Sequence, residues 1–72
     1  MLFVTPGAKY RHFKGNVYEV LAVAKHSENM QDFVVYRDVN EPDKTWIRPL
    51  GMWLEPAEVD GKFVTRFDKI DG

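Results

Sequence analysis

The chain has 72 residues, 44% hydrophobic and 29% charged, with a formal net charge of -1 and no cysteine. One domain with one thin core is expected at this length, burying about 60% of the surface the unfolded chain exposes. Disulfide frameworks, thiol nucleophiles and cysteine-based zinc sites are excluded, and no apolar run reaches the length of a membrane span.

The opening Met1-Leu2-Phe3-Val4 reaches Pro6-Gly7 too soon for a signal peptide. Residues 1–8 therefore read as an N-terminal extension, and residues 9–70 as the body of a single domain spanning 1–72. Lys9 to Phe13 and Val17 to Ala24 read as strands around a Lys14-Gly15-Asn16 turn, since Gly and Asn supply the positive φ of tight hairpins. A three-residue loop sets Arg11 opposite Glu19, and a two-residue Gly15-Asn16 loop shifts that register by one. Lys25 to Gln31 is a loop, polar except for Met30, that leads into a third strand from Asp32 to Arg37. An acidic, turn-rich loop from Asp38 to Asp43 precedes a fourth strand, Lys44 to Arg48, which stops at Pro49 for want of a donor. Leu50-Gly51-Met52-Trp53-Leu54, bounded by Pro49 and Pro56, fits a single helical turn closing one end. Glu58-Val59 and Lys62-Phe63-Val64 flank Asp60-Gly61, the strongest hairpin signal in the chain. Period-two patterning with frequent turns predicts an all-β fold, a small barrel or sandwich of about five to six short antiparallel strands with one helical turn.

Alternate residues of a strand face opposite sides. One face is expected to carry Tyr18, Val20, Ala22, Val34, Tyr36 and Ile47, the core. The other then carries Leu21, Val23, Phe33, Val35 and Trp46 beside Glu19, Arg37 and Arg48. An outer patch this apolar is usually covered or used. Leu2, Phe3 and Val4 or the Met52-Trp53-Leu54 turn would cover it; otherwise Leu21, Phe33, Val35 and Trp46 form an interface for a protein partner or a homodimer.

Chemistry-bearing residues are few. Lys25-His26-Ser27-Glu28 puts an imidazole, a hydroxyl and a carboxylate in a row, but neighbours in sequence rarely converge as a triad must, and a cap or Asx-like turn accounts for Ser27. His12 and His26 lack metal-ligand spacing and could share an ion only if folding joined them, so no metal or cofactor is expected. Arg48 follows Trp46 by two residues, a pairing that can stack on a base or hold a carboxylate or phosphate; it can equally pair with Glu19. Arg66 before Phe67 allows the same two readings. The glycines are isolated, so no phosphate-cradling loop is present, and most carboxylates fall in turns.

Tyr10-Arg11-His12-Phe13-Lys14-Gly15, Tyr18-Glu19-Val20, Ala24-Lys25-His26-Ser27-Glu28, Val34-Val35-Tyr36-Arg37 and Trp46-Ile47-Arg48-Pro49-Leu50 with Met52 together resemble the small bacterial domain-of-unknown-function family 1653. The resemblance runs from about Tyr10 to Ile70. It implies a single SH3-like barrel and no established activity. It also implies that Arg11, His12, Lys14, His26, Ser27, Glu28, Tyr36, Trp46, Arg48 and Arg66 stand where the family's polar motif residues stand. Thr65 in place of proline and Trp53 in place of phenylalanine depart from the pattern.

The expected function is a non-catalytic binding module in which those ten residues form a polar rim for an anionic ligand: a nucleotide, an RNA segment or a carboxylate. The alternative is the protein-interaction or homodimerisation module above. An enzyme ranks third, because no convergent acid-base set is visible. Residues 1–26 hold Lys9, Arg11, Lys14 and Lys25 against Glu19, a balance of +3, and the remainder holds six basic against ten acidic residues, a balance of -4. That excess is small for a nucleic-acid binder, since each phosphate neutralised needs its own cation. A reducing compartment, hence the cytoplasm, is the simplest setting, with no membrane as partner.

Overall fold

A computed structural model describes residues 4–70. In chain order it has β1 (Lys9–His12), β2 (Val17–Lys25), β3 (Asp32–Asp38), β4 (Glu41–Pro49), α1 (Leu50–Leu54), β5 (Ala57–Val59), β6 (Lys62–Val64) and β7 (Phe67–Ile70). The fold is all-β with one helical turn, as the periodicity predicted, in two sheets: a five-stranded sheet in the order β4-β3-β2-β1-β7 and a separate β5-β6 hairpin. Its seventh strand, β7, went unseen in the sequence: Phe67-Asp68-Lys69-Ile70 is short and half charged, and it pairs along an edge with β1.

The first turn settles the register. His12 N–H donates to the Asn16 carbonyl and Gly15 N–H to the His12 carbonyl, both at 2.7 Å, which makes Phe13, Lys14 and Gly15 the loop. Gly15 takes φ 108°, a region open to glycine. Arg11 therefore faces Val17, not Glu19, and Glu19 lies between Lys9 and Arg37. Arg37 donates from both Nε and Nη2 to Glu19 Oε1 at 3.0 and 2.8 Å, so Glu19 is the partner of Arg37 and not of Arg48.

Two irregularities reassign the faces. Val20 pairs with Tyr36 and Ala22 with Val35, so Leu21 is an extra residue, a bulge that reverses the in-out parity of the rest of β2. Arg37 pairs with Thr45 but Asp38 with Glu41, leaving Pro42, Asp43 and Lys44 as an insertion. The edge strand β4 thus begins at Glu41 and tolerates Pro42 where the ladder is already broken. Directly opposed residues share a face. Trp46 opposes Tyr36 and Arg48 opposes Val34, so both stand on the core side; Ile47 opposes Val35, so it is outside. The expected positions of Trp46, Arg48 and Ile47 are reversed, and so are those of Ala22 (outer, with Val35) and Val23 (inner, with Val34).

The core is Val4, Tyr10, Val20, Val34, Tyr36, Trp53 and Phe67 on the inner face. Trp53 stacks on Phe67 with ring centres 3.7 Å apart and planes 4° from parallel. Helix α1, which delivers Trp53, stops where Glu55 precedes Pro56 and is held extended at φ -68°, ψ 131°. The β5-β6 hairpin turns through Asp60 (φ 52°) and Gly61 (φ 76°), the paired positive φ of a type I′ turn. Residues 4–8 are tied to the sheet by bonds from Thr5 N–H to the Tyr10 hydroxyl (2.9 Å), Gly7 N–H to the Val20 carbonyl (2.8 Å) and Val20 N–H to the Ala8 carbonyl (3.0 Å). Val4 and Trp53 thus belong to the inner core and cover no outer strip; Leu2 and Phe3 lie outside the described residues.

Candidate functional site

The inner face ends, beside the β1-β2 turn, in a cluster of cations around aromatic rings. His12, at the end of β1, opposes Phe67, their rings 4.9 Å apart. The Arg48 guanidinium lies over Phe67 at 5.5 Å, and Arg66 and Lys14 lie over Phe13 at 5.9 and 5.8 Å. Cations are attracted to ring faces, so these contacts hold them without neutralising them. Arg66 Nε also donates to the Glu55 carbonyl at 3.1 Å.

The ion pairs among the described residues are Lys25 with Asp32, Arg37 with Glu19 and Lys44 with Glu41. Lys14, Arg48 and Arg66 have no carboxylate partner there. His12 registers that excess: burial lowers its pKa from the ordinary 6.5, and Arg48, Arg66 and Lys14 lower it further by repelling the imidazolium. Its Nδ1 accepts the Lys14 N–H at 3.2 Å, which leaves the proton of the neutral ring on Nε2. The arrangement offers two guanidinium groups, an ammonium and an imidazole N–H, a donor set without an acceptor, suited to an oxyanion.

Next to the cluster, between the start of β2 and β4, lies a cleft of about 250 Å³ walled by Tyr18, Tyr36 and Trp46, with Asn16 and Asp38 along one side. Tyr18 and Tyr36 meet edge to face at 5.3 Å, and Trp46 is 52% exposed. Lys44 and Glu41, paired at 2.9 Å, close the outer lip. Burial and the nearby Asp38 carboxylate raise the Tyr18 pKa, so the phenol keeps its proton. A larger hollow of about 430 Å³ lies between α1 and the β5-β6 hairpin, lined mainly by Trp53, Leu54, Pro56, Phe63 and Val64. It is mostly apolar and holds none of the clustered cations.

Of the ten residues expected at a rim, folding joins His12, Lys14, Arg48 and Arg66, with Tyr36 and Trp46 adjacent. Arg11 lies on the opposite face, across from Asp68. His26, Ser27 and Glu28 sit in the β2-β3 turn, at the far end of the nine-residue β2, roughly 25 to 30 Å from the β1-β2 turn that carries His12 and Lys14 at about 3.3 Å per residue. The two histidines are therefore far apart. In that turn the His26 imidazole accepts the Glu28 N–H at 3.2 Å and Asn29 accepts the Gln31 N–H at 2.9 Å, work the sequence suggested for Ser27. Phe13, Tyr18 and Phe67, which carry the cations and wall the cleft, were missed, because aromatics in a small chain read first as core. The signals for them were the two-residue spacing of Trp46 and Arg48 and the adjacency of Arg66 and Phe67.

On the outer face, Phe33, Val35 and Ile47 share a strip with Ala22, Ala24 and Pro49, and Ile47 is 63% exposed. Trp46 is not part of it, being on the inner side, and Leu21 is the bulge residue beside it. Among the described residues no helix is long and apolar enough to cross a membrane, and no three His, Asp or Glu side chains gather as metal ligands would.

The family described as "Protein of unknown function (DUF1653)" matches residues 8–69 of the chain. The crystal structure of a protein of that family from Bordetella bronchiseptica is similar, with a TM-score of 0.78 and 30% identity over 93% of this chain and 87% of that one. No curated protein matches the chain.

Proposed function

We propose that this chain, which belongs to the DUF1653 family of proteins of unknown function, is a non-catalytic binding module that holds an anionic ligand at the inner-face cluster of His12, Lys14, Arg48 and Arg66. The observation that carries the reading is that three cations lie over Phe13 and Phe67, the two rings that flank the His12 imidazole, with no carboxylate partner among the described residues. Bringing like charges together costs free energy that an oxyanion would recover, and the aromatic faces beneath hold the cations in place before it arrives. Titration calorimetry with pyrophosphate tests this. Arg48→Ala should weaken binding about tenfold, the lower range for a hydrogen bond to a charged group, while Lys62→Ala on the remote hairpin leaves it unchanged. If Arg48→Ala fails to fold, Lys14→Ala, in an exposed turn, takes its place. Wild-type protein that does not bind pyrophosphate, or folded variants that bind it as wild type does, would remove the reading.

A second reading rests on the outer strip, where Ile47 is 63% exposed beside Val35 and Phe33. Such a patch suits a second copy of the chain or another protein. It predicts association that Ile47→Asp abolishes, measured by sedimentation.

A further inference from the structure

The cluster and the aromatic cleft are neighbours, and together they select among anions. Resting on the anion-site reading, we propose that the ligand is a nucleotide whose base enters the cleft between Trp46 and Tyr18 and whose phosphate lies on Arg48 and Lys14. Three observations carry this.

Trp46 and Arg48 stand on the same face of β4 two residues apart, about 6.6 Å along the strand, a span comparable to that between a nucleotide's base and its phosphate. The cleft walls are ring surfaces, the half-exposed Trp46 above all, and bases of any sequence stack on such surfaces. Acceptors line its side: Asp38 Oδ1 takes the Asn40 N–H at 2.8 Å, but Oδ2 has only a long 3.4 Å bond from Asn16 Nδ2. Oδ2 is thus open to the amino group of a base, as carboxylates accept from cytosine N4.

Aromatic walls beside acids would also suit an organic cation. Two features decide against it. Glu41 is already neutralised by Lys44, and Arg48, whose charge reaches Tyr18 on the cleft wall, would repel a cation.

The test uses the full chain at low salt, with calorimetry for affinity and tryptophan fluorescence for position, because Trp46 is exposed whereas Trp53 is only 2% exposed. Pyrophosphate is compared with guanosine, cytidine and uridine diphosphates, a short single-stranded RNA, and choline. The nucleoside diphosphates should bind about tenfold more tightly than pyrophosphate, a modest return for one stacked base. They should quench the exposed tryptophan, with guanosine and cytidine ahead of uridine. Trp46→Ala should reduce their affinity to the pyrophosphate level and Trp46→Phe should restore most of it. Affinity that rises with RNA length identifies a single strand as the source of the nucleotide; affinity equal to that for the diphosphates identifies a free nucleotide. Pyrophosphate binding as tightly as every nucleotide, with Trp46→Ala neutral, overturns the base cleft and leaves the anion site standing. Quenching by choline with no gain for nucleotides overturns it in favour of a cation. Absence of any anion binding removes both readings.

Discussion

The two faces of the five-stranded sheet treat charge in opposite ways. On the outer face opposite charges stand across from one another: Glu19 lies between Lys9 and Arg37 and takes both Arg37 bonds, and Arg11 stands across from Asp68, although only Arg37 with Glu19 closes as an ion pair. At the β1-β2 end of the inner face they do not: Lys14, Arg48 and Arg66 rest on phenylalanine rings and add to the lowering of the His12 pKa that burial begins. Paired surface charge contributes little and asks for no further explanation. Cations held over rings with no carboxylate partner among the described residues support the proposed anion site on the inner face, although the outer one looks busier in sequence.

The comparison breaks first at the core that holds the inner face in shape. Trp53, 2% exposed and stacked on Phe67, should cost about 3 to 5 kcal/mol when replaced by alanine, a large part of the stability of a chain this small. Urea unfolding measures this, and a loss below about 1 kcal/mol would mean that the stack does not support the cluster. The outer strip offers a milder break. Ile47→Asp should change monomer stability by no more than about 0.5 kcal/mol, so any change in sedimentation reports association alone. The smallest effect is expected at the matched charges: Glu19→Gln should cost less than about 1 kcal/mol, because both partners are partly exposed, at 27% and 37%. A larger loss would show that the outer face depends on this pair more than its exposure allows.

Much of this architecture could be read from residues. The Asp60-Gly61 hairpin and the proline-bounded turn at Leu50 to Leu54 follow from local backbone chemistry, so they stand where expected. The faces were legible along β3 and at the start of β2, where Tyr18, Val20, Val34 and Tyr36 turn inward as expected, but not past Leu21, where one inserted residue reverses parity over the rest of β2 and no composition marks a bulge. On β4, Trp46 and Ile47 are both bulky, and only the pairing with β3 decides which turns inward. The candidate site was half legible for a related reason. The Tyr10 to Gly15 and Lys25 to Glu28 motifs look like parts of one rim, yet β2 carries them to opposite ends. Arg48, near the other end of the chain's sheet-forming stretch, joins the first motif through β4 and Phe67.

One measurement bears most directly on the unpaired cluster: the His12 pKa by NMR, with and without sulfate, which stays a dianion throughout the range. The free ring should titrate below 6.5. Because that folded-state pKa lies below the unfolded value, its contribution to stability is present above pH 6.5 and is lost as pH falls through 6.5 toward the folded pKa. A bound anion stabilises the imidazolium, so sulfate should raise the His12 pKa and bind more tightly as pH falls, with shifts at Lys14, Arg48 and Arg66 and none at His26. A His12 pKa that sulfate leaves unmoved would contradict the account.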